Sequence, residues 1–167
     1  TIFGQAKKDQ ILKRKNAREG ELLITTGYIG DSYLGLKSLS NTLKVKSKKY
    51  FENKYYFSNP PVNFMHEIAT KNLTKCAIDI SDGFLHDLNE ICHQSQLKAN
   101  INLKEIPLSL QAINEKEMNK LDLISAGGDY QTIFSCQEKD FNKISQIAQK
   151  HQIKLTKITK LYKNNNK

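Results

Sequence analysis

Two aspartates three residues apart, Asp79 and Asp82, are the residues of this chain best suited to chemistry. They follow an apolar run at residues 76–80 that reads as a β-strand, and a helical spacing of apolar residues begins at Phe84. A strand-to-helix turn would therefore carry two carboxylates, the hydroxyl of Ser81 and free backbone N–H groups. Mg²⁺ binds carboxylate and phosphate oxygens, and a helix N-terminus binds anions. The spacing thus indicates a magnesium and phosphate site, although it fits equally a turn in which Ser81 or Asp82 only caps the helix.

The composition is typical of one globular domain. The chain has 167 residues, of which 38% are hydrophobic and 26% are charged, so it can bury a core of its own. No apolar run reaches the roughly 18 residues of a membrane span. Residues 1–8 lack the apolar core of a signal peptide. We therefore expect a cytoplasmic protein without a membrane partner. Because the chain does not begin with Met, we also expect a processed protein or a fragment.

Neither the cysteines nor the net charge predicts a second kind of site. The three cysteines are irregularly spaced, which favours buried or free thiols in a reducing compartment over a zinc site. The net charge is +9, but its lysines are spread along the chain, arginine is scarce beside lysine, and tryptophan is absent. Sequence-specific nucleic-acid binding commonly uses arginine and aromatic stacking. We therefore interpret the charge as a solvated surface that helps to attract a phosphorylated ligand, and do not expect nucleic acid as the main partner.

Strands and helices alternate along the chain, which predicts an α/β fold in the sense of an α+β sandwich, a mixed sheet with helices packed on it. Strands are expected at residues 22–26, 76–80, 99–103, 131–136 and 155–161. Helices are expected at residues 33–39, 46–57, 62–71, 84–94 and 139–150, with Asp31 or Ser32 as a helix N-cap. Residues 1–20 are interpreted as a strand end and a basic loop, residues 21–162 as the domain, and residues 163–167 as a fraying tail.

Three separated segments carry recognisable motifs. Residues 12–21 contain an L-x-R-x-x-A-x-x-G-D/E pattern that leads to a T-G-x-x-G-D turn at residues 26–31. Residues 79–88 fit D-I/V/L-S-D-G-L-x-x-D-L with Phe84 in place of the first Leu, and residues 127–130 resemble the start of a G-E-D-Y-E-L turn. In this order and spacing, the motifs resemble those of thiamine-monophosphate kinases, in the aminoimidazole ribonucleotide synthetase-like superfamily.

The resemblance covers only the C-terminal domain of that family. It implies that an N-terminal domain, with metal-binding aspartates and a dimer-forming sheet of its own, would precede Thr1. Residues 1–20 would then be the strand end and linker that join it. The chain also stops before an aromatic segment that helps the family to hold thiamine. Gly128 and Gln131 stand where the family has glutamates, which puts substrate binding at the third motif in doubt.

The resemblance implies phosphorylation of thiamine monophosphate to thiamine diphosphate with ATP as co-substrate and Mg²⁺ as cofactor. By residue, it implies magnesium ligands at Asp79 and Asp82, a catalytic role for Asp82, ATP contacts from Arg14 and Ser81, and substrate contacts from Asp129 and Tyr130. Two of these residues, and Asp87 of the second motif, have alternative interpretations. Arg14 would otherwise be a solvated cation of a basic loop, Asp129 part of an ordinary turn, and Asp87 either a support for the metal or a solvated carboxylate.

An enzyme that lacks its first domain should be inactive alone. We therefore expect the chain to need a separately encoded N-terminal half, and to form a homo-oligomer when complete. The alternatives are a non-catalytic interaction module left by a split or decaying gene, another enzyme of the same superfamily, and a nucleic-acid binder.

Overall fold

A five-stranded sheet organises the chain in the computed structural model, which describes residues 3–115 and 118–163. The strands are β1 Leu22–Thr26, β2 Cys76–Asp79, β3 Leu97–Ala99, β4 Thr132–Cys136 and β5 Leu155–Lys163. Their order across the sheet is β2-β4-β1-β5-β3. The α+β class is confirmed, but each pairing among the described strands is antiparallel, so the strand directions are not mixed as expected.

Helices cover both faces of the sheet. They are α1 Asp31–Leu39, α2 Lys48–Tyr56, α3 Val62–Thr70, α4 Phe84–Ser95, α5 Leu110–Ile113, α6 Lys120–Ser125 and α7 Phe141–Lys150. Leu22 and Ile24 of β1 lie in one core cluster with residues of α3 and α7, whereas Leu23 lies in another with residues of α1, α2 and α4. Because successive side chains of a strand point to opposite faces, this double cover buries all five residues of β1. In the part of the chain that is described, no helix is both long and apolar enough to cross a membrane.

One predicted strand is misplaced. The sequence predicts a strand at residues 99–103, but β3 is Leu97–Ala99. It pairs with Leu161–Lys163, the last residues of β5. Gln96 ends α4 in the left-handed region, with φ 56°, so the strand begins at once after the helix.

The two ends of the chain differ in part from expectation. Phe3 and Gly4 are not in a strand, and residues 1 and 2 lie outside the described residues. The expected basic loop is present and contains two short 3-10 turns, Lys8–Gln10 and Arg14–Asn16. Lys163 ends strand β5 instead of starting a frayed tail, and residues 164–167 lie outside the described part.

Candidate functional site

Three of the sequence motifs meet at one edge of the sheet. Strand β4 runs antiparallel to both β1 and β2, so the ends of β1 and β2 lie beside the start of β4. The turns after Thr26, after Asp79 and before Thr132 therefore share this edge. These are the turns that carry the T-G-x-x-G-D pattern, the paired aspartates and the Gly-Gly-Asp-Tyr segment.

The aspartate turn and the Gly-Gly-Asp-Tyr turn are joined backbone to backbone. The N–H of Gly128 donates to the carbonyl of Ser81 at 3.0 Å, and the N–H of Tyr130 donates to the carbonyl of Ile80 at 3.0 Å. A Cβ on Gly127 would lie only 1.9 Å from the carbonyl oxygen of Ser81. The absence of a side chain at Gly127 is therefore what lets the two turns approach.

Asp129 connects the third motif to the first. Its carboxylate accepts hydrogen bonds from the N–H groups of Gly30, at 2.7 Å, and Ser32, at 3.1 Å, at the start of α1. Burial raises the pKa of Asp129 to about 7, and the two donated hydrogen bonds oppose this shift because they favour the charged form. The side chain thus satisfies the N-terminal amides of α1 from a distant part of the sequence.

Asp31 does not cap α1, contrary to the sequence-based prediction for Asp31 or Ser32. The N-cap residue is Gly30, and no side chain there makes a capping hydrogen bond. Asp31 is instead buried and accepts hydrogen bonds from the hydroxyls of Ser109, at 2.6 Å, and Tyr50, at 2.8 Å. Burial raises the pKa of Asp31, and both hydrogen bonds oppose that rise. Asp31 therefore joins α1 to two other segments.

Three backbone N–H groups of the aspartate turn, which were expected to be free for phosphate, already have an acceptor. Asp87 lies one turn into α4, and its Oδ2 accepts hydrogen bonds from Ser81, Asp82 and Gly83 at 3.1, 3.1 and 3.2 Å. The N-cap residue is Gly83, with no side-chain capping bond, so the capping roles predicted for Ser81 and Asp82 are wrong. Asp87 is buried, so it is not the solvated carboxylate of the alternative interpretation.

The aspartate turn presents oxygen ligands to solvent. Asp79 and Asp82 are both exposed, at the end of β2 and just before α4. Asp82, His86 and Asp87 each offer one ligand atom, and these atoms lie within 4.8 Å of one another. His86 was not among the predicted ligands, although its position four residues after Asp82 places both on one helical face. Exposed carboxylates fit the hard-cation chemistry of Mg²⁺.

The structure does not place the backbone of Arg14 beside the paired aspartates. Its carbonyl accepts hydrogen bonds from the hydroxyl of Ser95 at 2.8 Å and from the thiol of Cys76 at 3.2 Å. Cys76 begins β2 and Asp79 ends it, so about 10 Å of strand separates the two positions. Ser95 is the last residue of α4, whose first turn follows Asp82. The Arg14 loop therefore lies at the opposite end of both elements.

A cavity of about 190 Å³ opens between the first and third motifs. Asp31 and Asp129 lie along its wall, together with Lys54 and Gln131. The Oε1 of Gln131 accepts a hydrogen bond from the hydroxyl of Thr26 at 3.0 Å. Tyr130 is 45% exposed and does not contribute to this wall. Only one of the two predicted substrate residues, Asp129, thus faces the cavity.

An antiparallel sheet whose edge gathers three glycine-containing turns is the architecture of a known class of domain. The family model described as AIR synthase related protein, C-terminal domain, matches residues 18–166, and the chain belongs to that family. The fold and the C-terminal-domain resemblance expected from the sequence are therefore confirmed.

Within this family, the chain is similar to thiamine-monophosphate kinases. It is 34% identical over 163 residues to the enzyme of Buchnera aphidicola subsp. Acyrthosiphon pisum, covering 95% of this chain and 50% of that protein. The thiamine-monophosphate kinase of Stenotrophomonas maltophilia K279a matches with a TM-score of 0.85 and 20% identity, over 96% of this chain and 53% of the other. The structure of AaThiL complexed with AMPPCP and TMP matches with a TM-score of 0.77 and 21% identity, over 92% and 48%. The chain spans about half the length of these proteins.

Proposed function

We propose that this chain is the C-terminal lobe of a thiamine-monophosphate kinase, which transfers a phosphoryl group from ATP to thiamine monophosphate when an N-terminal lobe completes the site. Three kinase-like motifs are joined at one sheet edge by the Gly128–Ser81, Tyr130–Ile80 and Asp129–Gly30 hydrogen bonds. This is the main observation in favour of the proposal. The 34% identity to a curated thiamine-monophosphate kinase supports it.

Asp79 and Asp82 are the proposed magnesium ligands, with Asp82 as the catalytic one because it lies nearest the helix N-terminus. Both are exposed carboxylates, Asp79 at the end of β2 and Asp82 on the following turn, which the hydrogen bonds to Asp87 hold in shape. A bound Mg²⁺ would neutralise phosphate charge, which is the main requirement of phosphoryl transfer. Ser81 is the proposed ATP contact at the same turn through its hydroxyl, since its N–H is occupied.

Arg14 is the proposed second ATP contact, and its distance from the aspartates limits how a nucleotide can bind. It is exposed and lies at the far end of β2, so a nucleotide that reaches both Arg14 and the aspartates must extend along this surface. A guanidinium group pairs well with phosphate oxygens.

Asp129 and Tyr130 are the proposed substrate-contacting residues. Asp129 faces the 190 Å³ cavity, and Tyr130 stands exposed beside it with a left-handed backbone, φ 50°. Backbone strain of this kind at a non-glycine residue is often found at ligand sites. Binding of TMP by the structural neighbour AaThiL supports thiamine monophosphate as the ligand.

By our proposal, the complete enzyme requires a second, N-terminal lobe and works as a cytoplasmic homo-oligomer. The test is formation of thiamine diphosphate from radiolabelled ATP by three samples: the chain alone, the N-terminal half of the Buchnera aphidicola enzyme alone, and their mixture. We expect product from the mixture only, and none when the chain carries Asp82→Asn. Robust turnover by the chain alone, or no turnover by a mixture that forms a stable complex, would refute the proposal.

A non-catalytic interaction module is the second candidate, and one surface favours it. Tyr56 and Phe57 are 60% and 74% exposed at the end of α2, with Val62 65% exposed nearby in the sequence. Apolar surface of this kind is common where proteins meet. Sedimentation of the wild type and of Tyr56→Ser/Phe57→Ser tests it, since a module of this kind should self-associate with rising concentration and the variant should not.

A further inference from the structure

A basic cleft lies at the end of β2 opposite the paired aspartates. It encloses about 430 Å³ between the first loop of the chain and the residue that precedes β2. Its cationic residues are Lys8, Lys13, Lys15, Arg18 and Lys75, and Asp9 is its carboxylate. Arg14, the proposed ATP contact, is not part of its lining.

Most of the cations of this cleft have no close carboxylate partner. Among the residues that the structure describes, no carboxylate oxygen lies within 4.0 Å of the cationic groups of Lys8, Lys13, Lys15 or Arg18. Lysines elsewhere do find such partners, as Lys150 does with Glu67 at 2.8 Å. Gathering like charges in a concave surface raises the local positive potential, which attracts anions.

The walls of the cleft are tied to the core through the backbone. The N–H of Lys13 donates to the carbonyl of Lys75 at 3.0 Å, which joins the loop to the start of β2. The N–H of Ala17 donates to the hydroxyl of Ser95 at 3.2 Å, which joins it to the end of α4. Lys75 donates from Nζ to the carbonyl of Asp9 and to Asn72. The cationic side chains therefore project from a fixed frame, which lowers the entropy lost on binding.

We propose that this cleft binds a short chain of linked phosphates. Several cations in one concave site match the closely spaced charges of a diphosphate or triphosphate better than a single carboxylate or sulfate. The lining contains no aromatic side chain on which a base could stack, which disfavours single-stranded nucleic acid as the occupant. Free polyphosphate and the phosphate tail of a nucleotide share this chemistry. The site is separate from the aspartate turn, so the proposal does not depend on the kinase function.

The test uses inorganic tripolyphosphate with EDTA present, so that metal-bridged binding at the aspartates is removed. Amide resonances of the ¹⁵N-labelled chain are followed at 50 and 200 mM salt. We expect the largest shifts at residues 13–18 and 75, with weaker binding at the higher salt concentration. ATP should bind about as well as tripolyphosphate, and AMP about tenfold more weakly, because the phosphate chain supplies the contact.

Two charge-matched variants provide the control. Lys13→Gln/Lys15→Gln removes two cleft cations whose side chains make no hydrogen bond within the described residues, so folding should be unaffected. Lys139→Gln/Lys143→Gln removes two exposed cations near the start of α7. We expect the first variant to bind tripolyphosphate about tenfold more weakly and the second to bind it as the wild type does.

Three results would overturn the proposal. Equal weakening by both variants would show that net charge alone attracts the anion. Shifts spread over lysines of the whole surface would show the same. Tighter binding of a single-stranded RNA oligomer than of tripolyphosphate at equal phosphate concentration would identify the cleft as a nucleic-acid site instead.

Discussion

Replacing Gly127 with alanine should push apart the two turns that form the candidate site. The added Cβ would lie 1.9 Å from the carbonyl oxygen of Ser81 and 2.9 Å from the Cα of Asp82. Both contacts are to main-chain atoms, so no side-chain rotation can relieve them. The backbone of one turn must move, and this movement would break the hydrogen bonds from Gly128 to Ser81 and from Tyr130 to Ile80.

The expected cost follows from these contacts. Two backbone hydrogen bonds contribute about 0.5 to 1.5 kcal/mol each, and overpacking of a close contact costs about 1 to 3 kcal/mol. Gly127→Ala should therefore lower the free energy of unfolding by about 2 to 6 kcal/mol. Since urea slopes for small proteins are about 1 to 3 kcal/mol per molar, the urea midpoint should fall by about 0.7 M or more.

The assay is equilibrium urea unfolding followed by circular dichroism, with Gly4→Ala as the matched control. A Cβ on Gly4 meets no atom within 4 Å, so the same chemical change there should leave the free energy of unfolding within about 0.5 kcal/mol of the wild-type value. Equal midpoints for the two variants would refute the close contact of the turns, and with it the geometry on which the site rests.

Three further predictions concern single groups. Asp87→Ala should destabilise the chain by about 2 to 4 kcal/mol in the same urea assay, because three backbone N–H groups lose their acceptor; a loss below about 0.5 kcal/mol would contradict that role. Because burial raises the pKa of Asp129 from 3.8 to about 7, the folded chain keeps a proton that the unfolded chain loses between these values. The free energy of unfolding should therefore fall as pH rises through this window, by up to about 1.4 kcal/mol per pH unit, and Asp129→Asn should flatten the profile. All three cysteines are buried, and burial raises the pKa of Cys76 to about 11 and that of Cys136 to about 12, so a thiol reagent at pH 8 should react only after unfolding; rapid reaction of the native chain would contradict the burial.

Local patterns predicted most of the secondary structure because apolar periodicity reports burial directly. The strand at residues 22–26 is reproduced at both ends, and four of the five predicted strands overlap the observed ones almost fully. The fifth is displaced because β3 follows α4 directly and pairs with the last residues of β5, which is a property of the whole sheet. Local sequence carries no signal for that.

The chemistry of individual side chains was harder to predict, since it depends on partners that are distant in sequence. Asp129 and Gly30 are 99 residues apart, and Asp31 and Ser109 are 78 apart, yet each pair shares a hydrogen bond. The role of Asp87 could have been predicted from the local sequence, because a carboxylate four to six residues after three turn amides can accept hydrogen bonds from them. The separation of Arg14 from the aspartates follows from the tertiary path of the chain, which motif order alone does not reveal.

Paramagnetic broadening by Mn²⁺ tests whether Asp79 and Asp82 together bind a divalent cation, as the proposed kinase function requires. Substoichiometric Mn²⁺ is added to the ¹⁵N-labelled wild type, to Asp79→Asn/Asp82→Asn, and to Glu138→Gln/Asp140→Asn as a control with the same loss of charge. We predict that the amide resonances of residues 79–83 broaden first, in the wild type and the control but not in the double aspartate variant. Broadening centred on another group of carboxylates, or unchanged broadening in the double aspartate variant, would rule out a cation site formed by Asp79 and Asp82.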